Sequence, residues 1–383
     1  PHRDERLGWT GDAQVFVRTA SYNYDVRKFF KKWLRDLAAE QFPGGEVPNV
    51  IPNALGTMDT SAAWGDAAVI CPWQIYLTYG DKEILKDQYS SMRKWVEYIR
   101  KTGDNEFLWN TGEHFGDWLG LDAPAGSYKG STDMYYIATA FYAYSTSLLV
   151  KTAKVLGYDC TEYEELYCNI VAEFQKTFVC KTQTEHALAL YFNLTADKQK
   201  TAAVLAKMVV ENGNKLTTGF VGTPYLLHAL SENGYAEIAY NLLLQEGFPS
   251  WLYSVNRGAT TIWEHWDGIN DKGEMWSRGM NSFNHYAYGA VADWMYGVAA
   301  GIRIDESKPA FEHVILEPIT DKRLGFVEAS IDTKFGKVSS KWTFVEDAIK
   351  YEFEVPNTAT MILDGNKWDV TKGKYIKWCR VAD

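Results

Sequence analysis

Long apolar runs are missing from this 383-residue chain, because Lys, Asp, Glu or Asn interrupts every hydrophobic stretch before it nears the roughly 20 residues that cross a bilayer. No membrane association is expected. Basic charge is also scarce: 39 Lys and Arg face 49 Asp and Glu, giving a net charge of -10. A chain of this balance lacks the basic face that neutralises phosphates, which argues against nucleic acid as a partner. The five cysteines, Cys71, Cys160, Cys168, Cys180 and Cys379, include no Cys-x-x-Cys pair. Neither a zinc ribbon nor a dense disulfide framework is expected from them. Their odd count leans towards a reducing compartment, and the lone sequon Asn193-Leu194-Thr195 is too common by chance to argue for secretion. Cytoplasm, periplasm and exterior all stay open. The histidines form no i, i+4 pair, and there is neither a Gly-rich phosphate loop nor a Gly-x-Ser-x-Gly elbow. No metal and no cofactor is expected.

Aromatics, by contrast, make up 15% of the chain, and many sit beside Gly and Asp instead of in helical stripes. Acids, tryptophans and glycines recur together in Asp4-Glu5-Arg6-Leu7-Gly8-Trp9-Thr10-Gly11-Asp12, Ala63-Trp64-Gly65-Asp66, Phe115-Gly116-Asp117-Trp118 and Trp263-Glu264-His265-Trp266-Asp267. Asn281-Ser282-Phe283-Asn284-His285-Tyr286 has the same character. One acid among glycines is commonly a cap or a turn residue. Five such loops point to one shared cleft, in which a carboxylic acid protonates a leaving oxygen, a carboxylate activates water, and flat apolar surfaces grip a sugar. The run Thr260–Trp266 is β-prone and places the Glu264 side chain opposite those of its neighbours, although pairing with His265 or Arg257 is the competing structural role.

Helical periodicity dominates from about residue 10 to 300. Val26, Phe29, Phe30, Trp33, Leu34 and Leu37 form one apolar stripe, and Ile84, Leu85, Tyr89, Met92, Trp95, Val96 and Ile99 form another. About eleven helices are expected, among them single runs over 60–79 and 284–300, the second opened by His285. Alternation then takes over, as in Ile349, Tyr351, Phe353 and Val355. No repeat of 33 to 47 residues supports a solenoid. The reading is therefore a mainly α fold: an (α/α)6 toroid over 1–304, then a small antiparallel β-sandwich over 305–383, with the joint near Asp305 to Pro309. The chain starts at Pro1 within a functional-looking motif, so it reads as part of a longer polypeptide.

The motif from Pro1 to Asp12, with Ala63 to Asp66, Gly116 to Trp118, Thr218 to Pro224 and Ser277 to Ala287, closely resembles the catalytic region of bacterial α-L-rhamnosidases of glycoside hydrolase family 78. The resemblance spans essentially the whole chain. It implies an (α/α)6 barrel followed by a β-sandwich, and hydrolysis of terminal α-L-rhamnose with inversion. By motif, Glu5 would be the general acid and Glu264 the general base, with Trp9, Asp12, Trp64, Trp118 and His285 lining the rhamnose pocket. It also implies an Asp-Cys dipeptide just before Pro1 and further β-domains ahead of the barrel, both outside this chain. The substrate class is then an α-L-rhamnoside, free or within a polysaccharide. Another α/α-toroid glycosidase acting on α-glucosides or α-fucosides remains an alternative, because fold alone does not fix substrate. A sugar-binding module without turnover is the other.

Overall fold

The computed structural model describes residues 6–380, which pack as two units. The first takes the chain up to Val17, Lys28–Trp73 and Lys82–Ala290; the second takes Arg18–Arg27, Gln74–Asp81 and everything from Val291 onward.

Twelve α-helices run through the described residues: α1 (Thr10–Asn23), α2 (Arg27–Glu40), α3 (Ala67–Tyr79), α4 (Lys82–Thr102), α5 (Met134–Leu156), α6 (Thr161–Thr177), α7 (Gln183–Tyr191), α8 (Lys198–Glu211), α9 (Thr223–Ser231), α10 (Ala236–Leu243), α11 (Trp251–Val255) and α12 (Val291–Trp294). Their burial alternates. Helices α7 and α9 are buried at nearly every position, and α5 is buried along most of its length. The helices α2, α4 and α6 each bury one stripe, such as Tyr163, Leu166, Ile170 and Phe174 in α6, and turn charge outward. A helix apolar all round must be covered on every side, whereas an amphipathic one serves as a covering layer. The pattern is that of α/α hairpins in a toroid, each with an inner and an outer helix. Helix starts follow local chemistry: Asp133 accepts from the Tyr135 N–H at the start of α5, and Thr182 and Glu185 form a capping box on α7.

Two local expectations give way to tertiary structure, and one short helix has no periodic signal. The run over 60–79 is helical only from Ala67, because the preceding residues form turns around Asp66. The run over 284–300 is not one long helix: a 3-10 turn (Ala287–Ala290), α12 and a π-helical turn (Met295–Ala299) follow one another, with Gly289 and Gly297 interrupting the periodic run. His285 accordingly lies in the segment before them. Finally, the five-residue α11, whose Tyr253 N–H is capped by Ser250 Oγ at 3.0 Å, is too short to register as a period.

The second unit carries eight strands: β1 (Ile302–Ile304), β2 (His313–Leu316), β3 (Phe326–Thr333), β4 (Gly336–Val345), β5 (Ala348–Val355), β6 (Thr358–Leu363), β7 (Asn366–Val370) and β8 (Gly373–Arg380). They form two four-stranded sheets in the orders β1-β2-β6-β7 and β3-β4-β5-β8, antiparallel except for the parallel pair β2 and β6. The inner faces share one core, with Val314, Leu316, Met361 and Leu363 from one sheet meeting Val338, Trp342, Tyr351 and Phe353 from the other. The first strand begins at Ile302, ahead of the joint expected at 305–309. Trp342 Nε1 donates to the Ala299 carbonyl at 2.7 Å and Ser340 Oγ to that of Ala300 at 2.5 Å, so the residues leading into β1 are already part of this unit's core.

Candidate active site

Glu5, the expected acid, lies outside the described residues. The other six expected site residues, Trp9, Asp12, Trp64, Trp118, Glu264 and His285, line one pocket in the first unit, together with Phe115, Phe220 and Met280. The pocket encloses about 490 Å³, its open mouth included. That size suits a small ligand.

Two buried aspartates hold the tryptophans in place. Asp66 is fully buried and accepts from the Ala63 N–H (2.8 Å), Trp95 Nε1 (2.9 Å) and Ser145 Oγ (2.6 Å). It thereby pins Ala63 at a φ of 68°, an unfavourable region for a side chain, and orients Trp64 behind it. Asp117 accepts from the backbone N–H groups of Gly219 (2.8 Å), Val221 (2.9 Å) and Gly222 (3.1 Å), and from the Thr184 hydroxyl. It staples the loop that carries Trp118 to the loop that carries Phe220. Burial pushes both carboxyl groups above the usual carboxylate range, and the donors around them oppose that push.

Glycine is required where backbone meets an indole. A Cβ on Gly11 would lie 2.6 Å from the Trp64 ring, so Trp64 can pack against α1 only because that position has no side chain. The segment before α1 is fixed by the Ile51 N–H donating to the Gly8 carbonyl and the Thr10 N–H to the Asn49 carbonyl, both at 2.9 Å. Trp9 is therefore set at the rim and Asp12 in the first turn of the helix.

Asp12 and His285 form a buried pair, with His285 Nε2 3.1 Å from Asp12 Oδ1. The Ala287 N–H approaches His285 Nδ1 at 3.4 Å, which leaves Nε2 to carry the proton towards Asp12. Glu264 is also buried. Its N–H donates to the Ser282 carbonyl at 2.9 Å and its Oε2 accepts from the Ser282 N–H at 2.8 Å. The His285 N–H in turn donates to the Ile262 carbonyl at 2.9 Å. The run Thr260–Trp266 is not a strand, contrary to its β-prone composition: the chain bends at Glu264 and His265 while its backbone pairs with residues 282–285. Trp263 packs edge-on to Phe283 and His265 stacks on Trp276, while Glu264 faces the pocket. Arg257, one of the partners considered for Glu264, pairs instead with Asp271.

Among the described residues no group of three or more His, Cys, Asp or Glu side chains could hold a metal ion, and no helix is long and apolar enough to cross a membrane. What the pocket offers is a buried carboxylate and a second carboxylate paired with imidazole, within aromatic walls.

That constellation and fold agree with a known family. The family model for the bacterial alpha-L-rhamnosidase 6 hairpin glycosidase domain matches residues 1–299, and that for the bacterial alpha-L-rhamnosidase C-terminal domain matches residues 301–374. The chain belongs to the bacterial α-L-rhamnosidase family. A curated alpha-L-rhamnosidase of Formosa agariphila is 39% identical over 372 residues, covering 94% of this chain and 40% of the relative. The crystal structure of the Streptomyces avermitilis alpha-L-rhamnosidase complexed with L-rhamnose superposes with a TM-score of 0.91 at 33% identity, over 98% of this chain and 39% of that one. The native Aspergillus terreus enzyme superposes with a TM-score of 0.93 at 34% identity, over 99% of this chain and 46% of that one. The chain thus spans about 40% of the length of the curated relatives it matches.

Sequence reasoning missed Phe115, the hub of the aromatic wall. Its ring contacts Trp64 at 4.8 Å, Trp118 at 5.8 Å and Trp9 at 5.9 Å. Phe220 was missed as well; it packs on the His285 ring at 4.7 Å. Phe115 lies beside Gly116 and Asp117, and Phe220 sits between glycines within Thr218 to Pro224, so their company with glycine was the available signal. Met280, an isolated apolar residue in a polar loop, offered none.

Proposed function

We propose that the full-length protein is an inverting, exo-acting α-L-rhamnosidase, with this chain supplying the sugar pocket, the acid and the base. The observation that carries the reading is Glu264, a buried carboxylate on a loop of the pocket wall, held by Ser282 and sharing the pocket with Trp9, Trp64 and Trp118. Rhamnose has a methyl group at C6 and an apolar face, which suit indole walls, and hydroxyls, which suit the Asp12–His285 pair. Membership of the family and the rhamnose complex of the Streptomyces enzyme support the substrate class.

In this mechanism Glu264 takes a proton from water as that water attacks C1, and Glu5, assigned from the family motif, protonates the departing oxygen. Inversion needs room for the water, so the two carboxyl groups are expected roughly 6.5 to 9.5 Å apart in a crystal structure of the full-length protein; roughly 5 to 5.5 Å indicates a retaining nucleophile. The direct test is hydrolysis of an aryl α-L-rhamnoside by the full-length protein and by this chain, with NMR of the first-formed sugar. Inverted configuration at C1 is expected. Retention overturns the base role of Glu264, and cleavage of α-fucosides or α-glucosides in place of rhamnosides overturns the substrate. Glu5→Gln should slow substrates with poor leaving groups far more than activated aryl rhamnosides, since only the former need strong protonation.

A further inference from the structure

Glu264 also borders a second chamber in the first unit, of about 580 Å³ with its open mouth, whose walls include Tyr128, Phe248, His265, Asp267 and Trp276. Three of these rings are unusually open to solvent: Tyr128 is 44% exposed, Trp276 40% and Phe248 36%. They continue the aromatic wall of the first pocket, since Tyr128 lies 5.4 Å from Trp118 and 6.2 Å from Trp276. Trp276 is held flat, stacked 3.6 Å over the His265 ring at 17°.

His265 is the buried ring that backs Trp276. It is buried, hydrogen-bonded to the Met280 backbone, and its Nε2 has no hydrogen-bond partner among the described residues. Burial holds its pKa down to about 4, so the ring is neutral at ordinary pH. The bond to Met280 favours the protonated ring and so uses the one N–H, which leaves Nε2 as a bare acceptor. The Asp267 carboxylate supplies an acceptor on the chamber wall. Water satisfies the carboxylate but gains nothing from three exposed rings. A pyranose satisfies both, through hydroxyls that donate and a C–H face that stacks.

We propose that this second chamber binds the sugar unit that carries the terminal rhamnose, with Trp276 and Tyr128 as stacking surfaces and the Asp267 carboxylate as a hydroxyl acceptor. The proposal rests on the first pocket being the rhamnose site. Because the chambers share a wall and a continuous aromatic rim, two linked sugar rings would be neighbours across it. The enzyme would then prefer rhamnosyl disaccharides to rhamnosides with small leaving groups.

The test uses the full-length protein, with methyl α-L-rhamnoside and with the α-1,2-, α-1,4- and α-1,6-linked rhamnosyl-glucoses as substrates. The wild type is expected to show a lower KM for at least one disaccharide than for the methyl rhamnoside. Trp276→Ala should raise the ratio of the two KM values about tenfold. Trp276→Phe, which keeps a ring, should restore most of it, and Tyr128→Ala gives an independent second reading should the Trp276 variant fold poorly. An unchanged ratio in both alanine variants, or no preference for any disaccharide in the wild type, overturns the proposal and leaves a chamber for water only. Failure to cleave methyl rhamnoside at all instead overturns the reading of the first pocket, and this one with it.

Discussion

Carboxylates in the pocket unit and in the C-terminal sheets are the same chemical groups in opposite circumstances. Asp12, Asp66, Asp117 and Glu264 are all at most 6% exposed and are held by imidazole, indole, hydroxyl or backbone N–H donors. In the sheets Glu328, Glu352 and Glu354 meet Lys341, Lys350 and Lys374 across the surface at 2.8, 3.0 and 3.8 Å. Water could replace the lysines at little cost, whereas nothing can replace the donors around a buried acid. The comparison separates acids that build or perform function from acids that merely keep a surface charged.

Substitutions can break that contrast. The largest effect is expected from Glu264→Gln in the full-length protein, which keeps an acceptor for the Ser282 N–H but removes the base; kcat on an aryl rhamnoside should fall about 1,000-fold. Wild-type activity there would place Glu264 among the structural acids. Next comes Asp117→Ala. It strands three backbone donors and a hydroxyl in the interior, and urea unfolding should register a loss of about 3 to 5 kcal/mol.

Acid should loosen the pocket unit in a defined window. His114, whose Nδ1 accepts from the Ala62 N–H at 3.2 Å, is held at a pKa of about 4 by burial, below its ordinary 6.5. A depressed histidine favours the fold while neutral, so its contribution is complete above about pH 6.5 and drains away as pH falls towards 4. The loss amounts to about 3 kcal/mol, measured as the difference in acid slope between wild type and His114→Asn. That difference isolates the histidine from Asp66 and Asp117, whose raised pKa values act in the opposite sense. The smallest effect is expected in the sheets: Glu328→Ala should change stability by less than about 0.5 kcal/mol, and by still less in high salt. A larger loss would show that the surface pairs are more than solvated charge.

Much of the fold was legible because periodicity is a local signal. The stripes in α2, α4 and α6 and the alternation in β5 report which face is covered, whatever covers it. The site residues were legible through the company of Trp, Gly and Asp in loops. The broken helix after His285 was not, since helical spacing reads the same whether a segment continues as α, 3-10 or π turns.

The sequence by itself determined the helix-then-strand order, the acidic surface and the loops in which acids and indoles occur, because these follow from residue type and spacing alone. Tertiary structure decided which acids face the pocket. Asp66 and Asp117 share the motif chemistry of Asp12, yet contacts with Ser145 and Thr184, 79 and 67 residues away along the chain, make them staples. Spacing cannot reveal such partners, since a carboxylate's role is set by the donors and the dielectric that folding brings to it.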